Sequence, residues 1–222
     1  MSAAKKLNLI SVEDYLQGEL VSPVKHEYVA GVVYAMAGAR NVHNRISSNC
    51  LVSLGNGLRG KRCQAFNSDT KVRVRLTTHM RFYYPDAMVV CQANPPGDSF
   101  QDQPVIIAEI LSAATRRTDE GEKKDAYLTI ATLSAYVLIE TDRPRVVVHR
   151  RGADGAFAAE LYEGMDSSIA FDDVGCTIKL SELYERVDFA AVAAEAVSDG
   201  SGDDAGEGLR SDRGALVSRP RA

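Results

Sequence analysis

A chain of 222 residues that is 45% hydrophobic and 25% charged has the make-up of a globular protein, long enough to bury one ordinary core with a tail to spare. Its formal net charge of -4 argues against a broad basic footprint, although short basic clusters remain at Arg59-Gly60-Lys61-Arg62, Lys71-Val72-Arg73-Val74-Arg75, Arg116-Arg117 and Arg150-Arg151. No apolar run reaches the roughly 18 residues of a membrane span, and Met1 to Leu9 lacks the apolar stretch of a secretory signal, so the expected compartment is the cytoplasm.

The elements follow from hydrophobic period. Ser11 is placed to cap a short helix starting at Val12, and Glu27 to Met36 predicts two strands that turn at Gly31. Ile46, Cys50, Leu54 and Leu58 form a helical stripe over His43 to Leu58. Gly55-Asn56-Gly57-Leu58-Arg59-Gly60 matches the dinucleotide fingerprint in letters, but it ends a helix where the fingerprint opens one, so it reads as a cap and turn. Lys71 to Leu76 alternates with period two, a half-exposed strand that is basic on one face.

The runs around Asp86 and Glu109 are continuously apolar, as in central strands covered on both faces, with a loop at Pro95-Pro96-Gly97 between them. Thr118-Asp119 then caps a helix predicted to run to about Leu133, and Ala135 to Ile139 with Arg145 to His149 predicts a strand pair turning at Asp142-Arg143-Pro144. A turn at Asp154-Gly155, a short element near Thr177 to Leu180 and a helix from Ser181 complete the domain. From about Ala190 large apolar residues nearly vanish. The expected organisation is therefore one α/β (α+β) domain over residues 1–189, with a central mixed sheet flanked by helices, and a disordered tail over 190–222.

Cys50, Cys63, Cys91 and Cys176 make no Cys-x-x-Cys knuckle, and the histidines no His-x-x-x-His pair, so no structural zinc site is expected and the four cysteines are expected to be reduced, buried thiols. No G-x-S-x-G elbow or P-loop is present.

Two acids stand out, because an ionised carboxylate inside an apolar run costs several kcal/mol unless it is paired. Asp86 follows Pro85 at the mouth of one strand, and Glu109 lies near the end of the next. If those strands are neighbours, both acids could reach one divalent ion, and carboxylate-bound Mg²⁺ is suited to phosphodiester hydrolysis. Lys123 precedes Tyr127 by one helical turn and so lies on the edge of the packed face, whereas Lys124 points about 100° further round toward solvent. His43 near a helix start reads either as a phosphate contact or as a capping or packing residue.

These residues, with His26-Glu27-Tyr28-Val29-Ala30-Gly31, Met36-Ala37-Gly38, His43-Asn44-Arg45-Ile46, Tyr84-Pro85-Asp86, Glu109-Ile110-Leu111-Ser112, Thr115, Asp119 to Tyr127 and Tyr136-Val137-Leu138-Ile139, resemble in order and spacing the Uma2-type (DUF820) branch of the PD-(D/E)xK nucleases. The resemblance covers roughly Ser11 to Val187 and implies a restriction-endonuclease-like fold. It also implies a Mg²⁺ or Mn²⁺ site made by Asp86 and Glu109 with the Ile110 backbone carbonyl, and a supporting role for Glu27 as an extra ligand or water-orienting group. Two departures matter: the orthodox lysine, two residues after the glutamate, is here Leu111, so the amine would come from Lys123, and the usual Ser-Pro-Ser-Thr is Ser112-Ala113-Ala114-Thr115. The expected function is a metal-dependent endonuclease acting on DNA, with a homodimer as the default assembly. The rival from another class is a catalytically idle member that serves as a nucleic-acid-binding or dimerisation module.

Overall fold

The computed structural model describes residues 8–200. The chain divides after Val187 into two units. Among the described residues no helix is long and apolar enough to cross a membrane.

The first unit opens with α1 (Val12–Val21), whose N-cap Ser11 accepts the Asp14 amide N–H at 3.0 Å as its sequence requires. Strands β1 (His26–Val29) and β2 (Val32–Ala35) form a hairpin through Ala30 and Gly31, both at positive φ (51° and 95°). Such a two-residue turn needs the left-handed region at both central positions, and at Gly31 a side chain would also run into Leu9. Helix α2 (Asn41–Gly57) follows, then β3 (Gln64–Asn67), β4 (Lys71–Arg75), β5 (Met80–Tyr83) and β6 (Ala87–Val90). After β7 (Phe100–Gln101) comes β8 (Pro104–Ile110). A helical segment then passes through α3 (Arg116–Thr118), a π-helical turn (Asp119–Lys123) and α4 (Lys124–Tyr127). Strands β9 (Ala135–Ile139), β10 (Arg145–Arg151), β11 (Phe157–Glu163), β12 (Ser168–Phe171) and β13 (Cys176–Lys179) lead to α5 (Leu180–Leu183).

The strands make a five-stranded sheet in the order β2-β1-β5-β4-β7, a six-stranded sheet in the order β11-β10-β9-β8-β6-β3, and the β12-β13 ribbon. In the six-stranded sheet β8 and β9 are parallel, and parallel neighbours need a crossover. The α3 to α4 segment is that crossover, which carries Lys123 over the sheet. β6, β8 and β9 are buried almost throughout, so their apolar runs do not alternate. On one face Met88, Ile107, Tyr127, Tyr136 and Leu138 share a core, and on the other Ile46, Cys50 and Leu54 of α2 are buried, the last two beside Ile106, Ala108 and Val137. Alternation along β8 therefore turns Glu109, like Ile107, toward the crossover helix.

Five expectations are corrected. The apolar run around Asp86 is two strands, β5 and β6, in different sheets, and Asp86 stands at the corner between them. The helix predicted to reach Leu133 starts at Arg116 and ends at Tyr127, because Leu128 to Leu133 tighten into successive short turns. Lys71 is buried, donating to the Tyr84 hydroxyl at 3.1 Å instead of facing solvent. Cys63 and Cys91 are joined by a disulfide rather than reduced, because β3 and β6 pair Gln64 with Val90 and so bring the flanking cysteines opposite each other; Cys50 and Cys176 are free and buried. The second unit contains α6 (Phe189–Gly200), capped by the Asp188 carboxylate, where composition predicted disorder; the rest of the predicted tail lies outside the described residues.

Candidate active site

The corner at Tyr84-Pro85-Asp86 exists because β5 leaves one sheet and β6 enters the other. Proline suits this junction, having no amide N–H to satisfy. Antiparallel pairing of β6 with β8 sets Ala87 opposite Ala108, so Asp86 arrives beside Glu109. The Asp86 Oδ2 accepts the Ile110 amide N–H at 2.8 Å, and the Asp86 amide donates to Glu109 Oε2 at 3.3 Å. Each acid is thus held by the other's strand. The Tyr127 hydroxyl donates to Glu109 Oε1 at 3.0 Å, and His43 Nε2 of α2 lies 3.2 Å from Asp86 Oδ2.

Lys123 enters from the crossover helix. Its Nζ lies 2.8 Å from Glu27 Oε1, 3.4 Å from Asp119 Oδ1 and 3.5 Å from Glu109 Oε1, and it sits over the Tyr83 ring. Burial alone would lower its pKa, but Glu109, Glu27 and Asp119 raise it above the usual amine range, which favours the cation at neutral pH. Burial drives the Glu109 pKa well up; Lys123 opposes this, while Asp119, Asp86 and Glu27 add to it. Asp119 is likewise raised, chiefly by burial. For His43 burial opposes charging, yet Asp86 prevails and the imidazole pKa is raised.

The predicted residues Glu27, Asp86, Glu109 and Lys123 therefore converge from three parts of the fold: a hairpin, a sheet and a crossover helix. They line one cavity of about 510 Å³, and His43 joins them. Lys124 is half exposed and does not line this cavity; its charge is felt instead by His149. Leu111, at the orthodox lysine position, is buried in the core. The side chains missing from the sequence reading are Asp119 and Tyr127. The four-residue spacing of Asp119 and Lys123 was a usable signal, whereas Tyr127 looked like any core aromatic.

Four carboxylates in this wall, Glu27, Asp86, Glu109 and Asp119, face the Lys123 ammonium, while Lys25 at the rim is paired with Asp69, so the donor set is hard, oxygen-rich and short of positive charge. Lys123 lies closest to Glu27 and about equally far from Asp119 and Glu109; Asp86 and Glu109, tied to each other's backbone through the Ile110 and Asp86 amides, are the pair that could share a cation. Among the described residues no three His, Cys, Asp or Glu side chains are grouped to hold a metal ion. A two-carboxylate site of this kind suits Mg²⁺, which keeps several waters of its own.

A second cleft of about 640 Å³ lies elsewhere, lined by Arg45, Asn49, Asn56, Glu182 and Arg186 among others, and it contains none of these acids.

Comparison with known proteins places the chain. The family model Uma2, described as a putative restriction endonuclease, matches residues 12–200. Two proteins of Synechocystis sp. (strain ATCC 27184 / PCC 6803 / Kazusa), the uncharacterized proteins slr1290 and sll1609, are each 28% identical to it. The first matches over 181 residues, 81% of this chain and 94% of its own length; the second over 174 residues, 77% and 97%. Among solved structures, a putative nuclease belonging to DUF820 from Anabaena variabilis ATCC 29413 superposes with a TM-score of 0.60 at 19% identity, over 76% of this chain and 96% of that one.

Proposed function

The chain belongs to the Uma2 family of putative restriction endonucleases, and from that premise we propose that it hydrolyses DNA phosphodiester bonds as a divalent-metal-dependent endonuclease. The observation that carries this reading is the approach of Lys123 Nζ to Glu27 and Glu109 in the cavity that also holds Asp86.

In this reading Asp86 and Glu109, with the Ile110 carbonyl, would hold Mg²⁺ or Mn²⁺, which when bound would supply positive charge to the phosphoryl oxygens. Ile110 N–H and His43 fix the Asp86 carboxylate, and the Tyr127 hydroxyl fixes that of Glu109, so neither acid must reorganise as substrate arrives. Lys123, whose positive charge Glu109, Glu27 and Asp119 favour, orients the attacking water by hydrogen bonding and offsets the negative charge that grows on the phosphoryl group. Glu27 holds the Lys123 ammonium in place and offers its carboxylate to the same water.

The test is cleavage of plasmid and of circular single-stranded DNA in Mg²⁺ or Mn²⁺, with EDTA as control. The expected result is activity in the wild type and its loss in Asp86→Asn and Lys123→Met. Cleavage at wild-type rates by both variants would overturn the assignment. Salt-sensitive DNA binding with no cleavage, and no heat on Mn²⁺ titration, would favour the idle binding module.

A further inference from the structure

Tyr34 is 54% exposed, an unusual position for a large aromatic side chain on a strand. It pairs directly with Glu27 across the β1–β2 hairpin, and directly opposed residues of an antiparallel pair project from the same face. The burial pattern agrees with this assignment. Tyr28 faces the other way, into a core with Tyr15 and Phe82, while Lys25, Glu27, Tyr34 and Met36 all line the acidic cavity. The hairpin thus has a structural face and a face turned to the candidate active site.

Among the described residues Tyr34 has no hydrogen-bond partner and no ring contact; Met36 follows it on the same face, and Ala35, Ala37, Gly38 and Ala39 are too small to cover the ring, which stays half open to solvent. Beside it on the same face, the Lys25 ammonium donates to the Ser68 carbonyl at 2.8 Å and pairs with exposed Asp69 at 2.5 Å, which places a cation at the cavity edge. An open aromatic face next to an acidic catalytic wall and a rim cation matches one nucleotide: base on the ring, backbone along the lysine.

We propose that Tyr34 is a stacking platform for the nucleobase next to the scissile phosphate, so that the preferred substrate is single-stranded DNA. The inference rests on the nuclease reading above. In a duplex each base face is already covered by its neighbours, and reaching Tyr34 would require unstacking and unpairing that a single strand avoids. Every base has a π face, so the platform selects strandedness and not sequence.

The chain contains no tryptophan, so Tyr34→Trp introduces a single indole reporter that works without catalysis. In Ca²⁺, its fluorescence is expected to fall saturably with a 12-nucleotide oligothymidylate and to stay unchanged with an abasic oligomer of equal length. A Leu161→Trp control on edge strand β11 should not respond. In Mg²⁺ or Mn²⁺, Tyr34→Ala should lower kcat/KM on single-stranded DNA by roughly tenfold, the loss of one stacked base, while Tyr34→Phe keeps wild-type rates. An unquenched indole together with wild-type cleavage by Tyr34→Ala overturns the platform and leaves the nuclease assignment standing. Equal or faster cleavage of duplex by the wild type overturns the single-strand preference. Quenching in a protein that cuts no DNA supports the base site and refutes the nuclease reading.

Discussion

The Lys123 ammonium lies 2.8 Å from Glu27 although the two residues are 96 positions apart and belong to a crossover helix and a hairpin in another sheet. Both residues line the cavity that holds Asp86, and the pair concentrates charge there: Glu109 and Asp119 also lie within 3.5 Å of the same nitrogen. Removing the amine therefore leaves three largely buried acids facing one another. Lys123→Met should abolish cleavage and cost about 3–5 kcal/mol of stability at pH 7.5, the usual penalty for breaking a buried ion pair. Without the amine Glu109 and Asp119, whose folded pKa values are already raised by burial, lose the charge that opposes that rise, so the penalty should shrink as the pH falls and they take up protons. Thermal melts of wild type and variant at pH 7.5 and pH 5 check this, and a constant gap would count against it.

Asp86 does two things that substitution can separate. Its Oδ2 ties the sheet corner to β8 by accepting the Ile110 N–H, and its charge faces the cavity. Asp86→Asn can keep an acceptor for that amide and should lose activity and Mn²⁺ heat with little change in urea midpoint. Asp86→Ala should lose the same activity and, in addition, about 1 kcal/mol. Equal stability of the two variants would show that the bond contributes nothing.

How much of this was readable beforehand depends on the residue. Asp86 and Glu109 were legible because a carboxylate within an apolar run is costly, and Lys123 because its helical spacing to Tyr127 put it on the packed face. Asp119 offered only its four-residue spacing to Lys123, because an acid at a predicted helix start reads first as a cap; the π-helical turn is what sets it beside the amine. The corner at Asp86 was hidden since a buried strand is apolar whichever sheet it joins. The Cys63–Cys91 bond depends on the β3–β6 register, a tertiary property. Helix α6 was obscured by the lack of large apolar residues, although alanine, abundant in Phe189–Gly200, is the strongest helix former.

The approach to the corner rests on a buried polar chain. Lys71 donates to the Tyr84 hydroxyl at 3.1 Å, Tyr84 donates to Glu19 at 2.7 Å, and Glu19 lies 2.7 Å from His26. Burial already lowers the Lys71 pKa, with Glu19 acting the other way. Tyr84→Phe removes the hydroxyl that both partners use and strands a buried ammonium, so a loss of about 1–3 kcal/mol is expected in urea unfolding. Adding Lys71→Met should restore part of it, because an apolar replacement no longer needs a partner. A double variant less stable than Tyr84→Phe would argue against a buried, unsatisfied amine as the cause.

Two sets of carboxylates pull the pH dependence of stability in opposite directions. Glu109 and Asp119 have folded pKa values raised by burial, so the folded state binds more protons and stability increases as pH falls toward those values. Asp102 and Glu140 behave in reverse. Burial pulls the Asp102 pKa up, but Arg73, bonded at 2.5 and 2.6 Å, and Asn94 outweigh it; for Glu140 the Arg116 guanidinium is the main cause of a lowered pKa. Their stabilisation is complete above the ordinary carboxylate range, about pH 4, and is lost as pH falls through the depressed folded values. In EDTA, melting temperature should therefore rise from pH 8 toward mildly acidic pH and drop below about pH 4. Asp102→Asn should soften only the acid drop. Glu109→Gln should reduce only the rise, leaving the share of Asp119, because an amide at position 109 carries no charge to bury at any pH, and a rise of unchanged size would assign it to other groups.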